Sequence, residues 1–199
     1  MHISDGALSA PVLLGGGILA AAGVGWGLKK LPWENMMPVA VISSAFFVAS
    51  LIHVQVGPSS AHLMLNGLMG VMLGWASIPA IAVALFLQSL LLQYGGLSSL
   101  GVNICTVGIP ALLAGMLFRR SLVHGSGRAT LAAFCCGAAA IALTALLVAV
   151  ALALSGEEFY AAAMSVLLAH VPVMFIEGFL TALVYGMIRK LAPAMLVQV

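Results

Sequence analysis

The sequence predicts an all-α, polytopic membrane protein that forms one domain over residues 1–199. Hydrophobic residues make up 63% of the chain and charged residues only 6%, whereas about a quarter of the residues in a soluble domain are charged. Apolar runs also recur between turn signals along the whole chain, and one membrane crossing needs about 20 apolar residues. We therefore expect a bundle of seven transmembrane helices. The predicted spans are 10–28, 36–54, 61–76, 78–94, 105–118, 129–154 and 161–188.

Proline and glycine explain where most of the predicted spans end. Proline lacks a backbone donor and glycine tolerates turn conformations, so both residues interrupt a helical pattern. The last two spans are long apolar runs separated by a loop that contains Glu157 and Glu158. The signals in the first four loops are Leu31-Pro32 with Pro38, Gly57-Pro58, Pro79 and Gly95-Gly96.

The basic residues predict the orientation of the bundle. Lysine and arginine next to span ends tend to remain cytoplasmic, whereas acidic residues carry little weight. With seven spans, all the basic residues fall on one side of the membrane, so the N-terminus is expected outside and the C-terminus in the cytoplasm. These residues are Lys29, Lys30, Arg119, Arg120, Arg128, Arg189 and Lys190.

The first two residues, Met1-His2, form a candidate metal chelate. A free Met1 amine, the backbone nitrogen of His2 and its imidazole Nδ1 can close two adjoining chelate rings, and such nitrogen donors suit nickel, copper or cobalt. This prediction requires an unprocessed N-terminus, and no basic segment or small-residue cleavage site marks a signal peptide. The alternative is that His2 is an ordinary residue near the chain start.

His62 is the predicted fourth nitrogen ligand. Ser59 or Ser60 is expected to cap the third helix and to place His62 in its first turn, facing the N-terminus. A helix N-terminus also favours neutral imidazole, which is the form that binds metal. A helix-capping or interfacial histidine is the alternative interpretation.

Three further residues are candidates for support of this site. Asp5 is a possible hydrogen-bond acceptor for a ligand imidazole, and His53, at the outer end of the second span, is a possible supporting group or transient entry ligand. Asn103 is expected to supply hydrogen bonds from a glycine-rich stretch, 93–104. We interpret this stretch as a re-entrant lid or floor over the site, because irregular backbone at membrane depth is tolerated where it lines a cavity. Solvated or interfacial roles remain open for Asp5 and His53, and a plain surface loop for 93–104.

His170 and Glu177 lie seven residues apart in the last predicted span, nearly on one helical face. Ionisable groups within a span are costly and usually face the bundle interior. A structural polar contact is the favoured interpretation for Glu177, with a metal or proton path as the alternative.

Four segments together resemble the CbiM/NikM family, the substrate-binding membrane subunits of energy-coupling factor (ECF) transporters for cobalt and nickel. The resemblance extends over essentially the whole chain, although neither His53 nor the stretch 63–66 matches its pattern. The segments are Met1-His2-Ile3-Ser4-Asp5-Gly6, Gly57-Pro58-Ser59-Ser60-Ala61-His62, Gly95 through Asn103, and His170-x6-Glu177-Gly178.

The resemblance implies a seven-helix subunit of the bacterial inner membrane that serves cobalt or nickel transport, as in cobalamin biosynthesis. It implies one Co²⁺ or Ni²⁺ ion, bound as transported substrate by the Met1 amine, the His2 amide and imidazole, and His62. It implies a transmembrane coupling (T) subunit, two cytosolic ATPase subunits and often a small accessory membrane subunit as partners. We expect no organic cofactor.

Other function classes are less consistent with the sequence. A phosphate-binding G-x-x-x-x-G-K-[ST] loop is missing, so ATP must be used by partner chains. The net charge of +2 and the lack of a basic run do not indicate nucleic acid. An intramembrane metal enzyme needs an open coordination position and a general base, and the sequence has no H-E-x-x-H helix. We expect no enzyme activity; the alternatives are such an enzyme or a purely structural membrane subunit.

Overall fold

The computed structural model describes residues 3–51, 53–56, 59–124 and 128–196, without the side chains of residues 33, 38, 53–56, 59–62, 194 and 196. This part of the chain is predominantly helical, as predicted, with one two-stranded antiparallel sheet. The α-helices are α1 (Ala10–Lys30), α2 (Met36–Ala49), α3 (Asn66–Leu73), α4 (Ser77–Leu92), α5 (Leu100–Val123), α6 (Ala129–Ala153) and α7 (Tyr160–Leu191). The strands are β1 (His53–Val56) and β2 (Ser59–His62), and short 3-10 turns cover Trp33–Asn35, Gly74–Ala76, Glu157–Phe159 and Pro193–Leu196.

Five segments in the described part of the chain are long and apolar enough to cross a membrane, which confirms a multi-pass membrane protein. Each exceeds the roughly 20 residues that a hydrocarbon core about 30 Å thick requires. A shorter apolar helix, Val39–Ala49, accompanies them. The five segments are Ala10–Lys30, Asn66–Leu92, Leu100–Val123, Ala129–Ala153 and Glu157–Leu191.

Small residues allow the helices to approach one another closely. A Cβ atom added at Gly137 of α6 would lie 2.8 Å from the Glu177 carbonyl oxygen, and one at Gly178 of α7 would lie 2.9 Å from the Phe134 carbonyl oxygen. Across the α1–α5 contact, a Cβ atom at Gly101 would lie 2.6 Å from the Gly17 Cα atom. Lipid provides no hydrophobic drive for helix association, so such close packing stabilises the bundle by van der Waals contact.

The predicted second and third spans, 36–54 and 61–76, are wrong as continuous helices. Helix α2 ends at Ala49, and the antiparallel strands His53–Val56 and Ser59–His62 of a β-hairpin follow it. Helix α3 starts only at Asn66, because Leu65 adopts a left-handed conformation with φ of 46°. The hairpin matches its own sequence, since β-branched residues alternate in 53–56 and Gly57-Pro58 is a turn signal.

Helix α3 is a short central element, and all eight of its residues are buried. Eight residues rise about 12 Å, which is well short of the membrane thickness. Gly74, with φ of 52°, ends the helix. Gly70 of α3 packs against Ala111 of α5. Ile78 of α4 packs against Gly108, which lies three residues before Ala111 in α5. The chain therefore reverses at Gly74, so α3 enters the bundle only part of the way.

We predict that Gly70→Ala destabilises the bundle. A Cβ atom at this position would overlap the Ala111 carbonyl oxygen, which is backbone and cannot rotate away. Overpacking of this kind costs about 1–3 kcal/mol or more. Gly25→Ala on α1 is the matched control, because a Cβ atom there meets no atom within 4 Å. Thermal unfolding in detergent should show a lower midpoint for Gly70→Ala than for the wild type, whereas Gly25→Ala should keep the wild-type midpoint. Equal midpoints would contradict the close α3–α5 packing.

Candidate metal centre

The N-terminal segment is anchored to the bundle at Ile3, which is buried, whereas the residues 4–6 that follow it are exposed. Ile3 is 5% exposed. Its backbone N–H donates a hydrogen bond of 3.0 Å to Asn103 Oδ1, and its carbonyl oxygen accepts one of 3.1 Å from Asn103 Nδ2. The Ser99 hydroxyl donates to the same carbonyl at 2.6 Å. Asn103 therefore satisfies both backbone groups of Ile3, much as a neighbouring strand would.

Apolar packing reinforces this anchoring of the N-terminal segment. Ile3 and Leu8 belong to one buried cluster with Val102 of α5, Val148 of α6 and Ala163 of α7. Burial of an aliphatic side chain contributes about 1.5–3 kcal/mol. The segment before α1 is thus tied to three helices of the bundle, and the chain reaches Ile3 at a buried position.

Asp5 contacts the loop between α4 and α5. Its Oδ1 atom accepts hydrogen bonds from the Ser98 hydroxyl at 2.5 Å, the Ser98 N–H at 3.1 Å and the Ser99 N–H at 3.3 Å. The Ser98 hydroxyl, followed by the backbone N–H groups, holds the pKa of Asp5 below its ordinary value of 3.8. The carboxylate therefore stays ionised until the pH falls through this lowered pKa.

This contact differs from the role predicted for Asp5. The side chain was expected to accept a hydrogen bond from a ligand imidazole, but in the described structure its carboxylate fastens the loop that follows α4. Gly96 is required there, because a Cβ atom would lie 2.5 Å from Asp5 Oδ2. The stretch 93–104 is partly helical, since α5 starts at Leu100. In its irregular part, Ser99 binds both the Asp5 carboxylate and the Ile3 carbonyl oxygen.

The predicted metal ligands lie largely outside the described residues. Met1 and His2 are not described, and neither are the side chains of His53 and His62. The backbone register of the hairpin pairs His53 directly with His62. His62 therefore lies in a strand, opposite His53, instead of in the predicted first helical turn.

Glu177 caps the start of α3. Its carboxylate accepts hydrogen bonds from the backbone N–H groups of Met64 and Leu65, the latter at 3.0 Å, and the side chain is 1% exposed. A carboxylate at this position also opposes the positive end of the helix dipole. The geometry agrees with a structural polar contact for Glu177. The Asn66-Gly67 dipeptide is a turn signal that the predicted span 61–76 left out of account.

His170 is a buried histidine with one nitrogen in use. Its Nδ1 atom lies 2.6 Å from the Val166 carbonyl oxygen on the preceding turn of α7. Its Nε2 atom is buried and has no hydrogen-bond partner among the described residues. The described residues also contain no group of three or more His, Cys, Asp or Glu side chains that could hold a metal ion.

A comparison of the sequence with models of protein families shows which family the chain belongs to. The model described as "CbiM: Cobalt uptake substrate-specific transmembrane region" matches residues 2–195. The chain belongs to the CbiM family. A Haemophilus influenzae protein named as a candidate metal transport protein is 38% identical to this CbiM chain over 196 residues, which cover 97% of the chain and 95% of that protein.

Other relatives are named as cobalt or as nickel transport proteins. The cobalt transport protein CbiM of Sorangium cellulosum is 33% identical over 171 residues, covering 79% of this chain and 75% of that protein. The fused nickel transport protein NikMN of Rhodobacter capsulatus is 31% identical over 185 residues, covering 86% of this chain and 52% of that protein.

A solved structure supports the fold. The crystal structure of a truncated transition metal transporter superimposes with a TM-score of 0.80 over 96% of this chain and 99% of that chain, at 22% identity. Together with the family match, these similarities confirm a membrane component of a metal transporter and not an enzyme. The rival prediction of an intramembrane metal enzyme is not supported.

Proposed function

We propose that this chain is the substrate-binding subunit of an ECF-type transporter that imports cobalt or nickel. One divalent ion is bound by four nitrogen atoms: the Met1 amine, the His2 amide nitrogen, the His2 imidazole and the His62 imidazole. The observation that carries the proposal is the anchoring of Ile3 by Asn103 in the bundle interior.

This anchoring limits where the chelating dipeptide can lie. Two extended residues reach at most about 7 Å, so the Met1 amine must lie within roughly that distance of the Ile3 nitrogen. Because Ile3 is buried among α5, α6 and α7, the dipeptide starts from the protein interior. The hydrogen bonds of Asp5 to Ser98 and Ser99 hold the next turn of chain in place and so support the same position.

The hairpin supplies the fourth ligand. His62 is in β2, and the α3 helix that follows is fixed by Glu177 through Met64 and Leu65. The position of His62 is thereby linked to a carboxylate in the last helix. His53 lies opposite His62 in the register, and we assign it a supporting or transient entry role.

The donor set suits the proposed cargo. Amine, amide and imidazole nitrogens bind nickel and cobalt, and a planar arrangement of nitrogens favours nickel. Deprotonation of the His2 amide on binding would offset one positive charge of the ion. Relatives are named for cobalt and for nickel, so both ions belong to the substrate class. The ion is cargo, and the proposal includes no organic cofactor.

The proposed topology has seven membrane passes, with the N-terminus outside and the C-terminus in the cytoplasm. The β-hairpin and α3 together form the third pass. The contact of Asp5 with Ser98 puts the start of α1 and the α4–α5 loop on one side. The hydrogen bond from the Tyr185 hydroxyl to the Leu122 carbonyl oxygen, 2.8 Å, joins the other ends of α7 and α5. The chain acts as one unit, 1–199, in a bacterial inner membrane.

Partner chains must supply the energy for transport. The sequence has no phosphate-binding loop, so two cytosolic ATPase subunits and a transmembrane coupling subunit are proposed. A small accessory membrane subunit is also proposed. The fused nickel transport protein NikMN is about twice as long as the region that this chain matches, which leaves room for such a subunit within one polypeptide.

The proposed function predicts a large effect of His62→Ala. Loss of one of four nitrogen ligands should weaken Ni²⁺ and Co²⁺ binding by at least about 100-fold, because losing even an outer partner of a metal ligand costs 10–100-fold. The measurement is calorimetric titration of each metal into purified protein whose intact Met1 has been verified by mass spectrometry.

His124→Ala is the matched control for this titration. His124 is exposed after α5, where its Nδ1 atom lies 3.0 Å from the Arg120 carbonyl oxygen. This variant should bind one metal ion with unchanged affinity. Unchanged affinity of His62→Ala would rule out His62 as a ligand. A wild-type protein without stoichiometric metal would support a purely structural subunit.

A further inference from the structure

We propose that one corner of the bundle binds the phosphate headgroup of an anionic phospholipid. This corner, the interfacial patch, consists of Trp26, Lys29 and Lys30 at the end of α1, Trp75 in the turn between α3 and α4, and Arg119 at the end of α5. The inference goes beyond the proposed function, because it uses the membrane location of the chain and does not depend on the metal site.

The interfacial patch forms where three segments meet. A Cβ atom added at Gly27 of α1 would lie 2.7 Å from the Trp75 carbonyl oxygen, so the backbone of α1 lies directly against the turn Gly74–Ala76. A Cβ atom added at Gly74 of that turn would lie 3.8 Å from Arg119 Nη1. The turn therefore brings the basic ends of α1 and α5 to one corner of the bundle.

Two tryptophans form the apolar part of the patch. The ring centroids of Trp26 and Trp75 are 6.3 Å apart in an edge-to-face arrangement, which is a favourable geometry for aromatic rings. The two side chains are 48% and 38% exposed. Tryptophan is enriched where the hydrocarbon core meets the headgroups, because its ring is largely apolar but carries a polar N–H group. The pair therefore marks the level of the lipid headgroups.

Both lysines of the patch lie over the same tryptophan ring. The Nζ atom of Lys29 is 5.8 Å and that of Lys30 is 5.6 Å from the Trp26 ring centroid, within the range of a cation–π contact. Residues three and four positions apart are neighbours on a helix surface, which explains the arrangement. One ring thus holds two ammonium groups of like charge near each other, and an anion that contacts both relieves their repulsion.

The charge of the patch selects an anionic ligand. Within the described part of the chain, no carboxylate pairs with Lys29, Lys30 or Arg119. Ammonium and guanidinium groups both donate charge-assisted hydrogen bonds to phosphate oxygens. Basic residues beside a membrane are attracted to anionic lipids. A headgroup with a net negative charge, as in phosphatidylglycerol, therefore fits the patch better than the zwitterionic headgroup of phosphatidylcholine.

Apolar surface next to the patch indicates that the phosphate belongs to a lipid. Leu19 lies two turns before Trp26 on nearly the same face of α1 and is 62% exposed. Val83 of α4, four residues after the Pro79 that packs on Gly27, is 58% exposed. These side chains offer acyl chains an apolar surface below the headgroup. A free phosphate ion would use only the charged part of the patch.

The test is a titration of phosphatidylglycerol into the detergent-purified protein, with bound lipid counted by native mass spectrometry. The wild type should bind one phosphatidylglycerol in preference to phosphatidylcholine. Lys30→Gln/Arg119→Gln removes one charge from each side of the patch and should weaken binding by about 30-fold, since each basic residue near anionic lipid contributes about a factor of five. Trp26→Leu keeps the charge but removes the shared ring and should lose about fivefold.

Arg128→Gln/Lys190→Gln is the matched control, because it removes two exposed basic residues before α6 and at the end of α7, outside the patch. This variant should keep the wild-type affinity for phosphatidylglycerol. Equal losses in the two double variants, or wild-type affinity in Lys30→Gln/Arg119→Gln, would overturn the inference. Metal affinity should be the same in all these variants, so failure of the inference leaves the proposed function intact.

Two other ligands are distinguished in the same titration. Inorganic phosphate at the concentration of the lipid should not displace phosphatidylglycerol, and displacement would assign the patch to a free anion. If Lys30→Gln/Arg119→Gln kept its lipid affinity but no longer assembled with the proposed ATPase and coupling subunits, the patch would be a contact for an acidic protein surface. Either result would overturn the inference.

A second measurement uses the tryptophans of the patch as reporters. In a Trp33→Phe background, all tryptophan emission comes from Trp26 and Trp75. This protein is placed in phosphatidylcholine vesicles that contain the same small fraction of either brominated phosphatidylglycerol or brominated phosphatidylcholine. The brominated phosphatidylglycerol should quench the emission more strongly, and Lys30→Gln/Arg119→Gln should abolish the difference. Equal quenching by the two brominated lipids would contradict a headgroup site at the patch.

Discussion

Four additional glycines before Met1 are expected to reduce metal affinity by more than about 100-fold. The extension converts the Met1 α-amine into an amide, and the new amine is displaced by four residues, so the two adjoining chelate rings cannot form as proposed. Loss of a direct ligand exceeds the 10–100-fold effect that outer partners of metal ligands produce. Calorimetric titration of Ni²⁺ and Co²⁺ measures the loss.

The extended protein should otherwise be intact. Ile3 keeps its hydrogen bonds to Asn103 and its packing in the bundle, because the added residues lie three or more positions upstream. The thermal midpoint without metal should therefore match that of the wild type. The protein with four glycines added after Val199 is the matched control and should bind normally. Undiminished binding by the N-terminally extended protein would exclude the amine as a ligand.

Glu177→Ala is expected to have the largest effect on the fold. The carboxylate satisfies the Met64 and Leu65 N–H groups at the start of α3 and is almost fully buried. Its removal leaves two donors without that acceptor, at about 1–3 kcal/mol each. We expect a loss of about 2–6 kcal/mol, measured as a lower midpoint of thermal or denaturant unfolding in detergent.

Two variants sharpen the Glu177 prediction. Glu177→Gln keeps one oxygen acceptor, so it should lose about half as much stability as Glu177→Ala. Glu157→Ala, in the exposed turn before α7, removes the same charge without a buried contact and should have little effect. Because α3 follows the hairpin, Glu177→Ala should also weaken metal binding. A stable Glu177→Ala protein would contradict the anchoring of α3 by this carboxylate.

Long apolar runs with clear boundaries could be predicted from the sequence. Residues 129–154 and 161–188 were predicted as spans, and the helices cover Ala129–Ala153 and Tyr160–Leu191. In these segments local pattern and tertiary structure agree. The fifth span was predicted at 105–118, but the helix covers Leu100–Val123. The polar and glycine residues at its start resemble a loop in the sequence. In the structure they lie at the start of the helix, where Ser99 and Asn103 bind Ile3.

The hairpin and α3 could not be predicted by hydropathy. The predicted spans 36–54 and 61–76 rested on hydropathy, but the start of α3 is fixed by Glu177, more than a hundred residues further along the chain. The hydrogen-bond partner of Asn103 could not be predicted either, because it is the backbone of Ile3, 100 residues earlier in the chain. Asp5 was considered as a partner for a ligand imidazole because the site was reasoned from residue types, and nothing in the sequence indicated that its Oδ1 atom binds Ser98 and Ser99.

The most direct test of the metal site is anomalous diffraction from crystals of metal-loaded protein with a verified free N-terminus. Data collected at the nickel or cobalt absorption edge should show one peak, bonded to the Met1 amine, the His2 amide and imidazole nitrogens, and the His62 imidazole. A peak held by carboxylate or sulfur ligands, or one remote from Met1, would contradict the account.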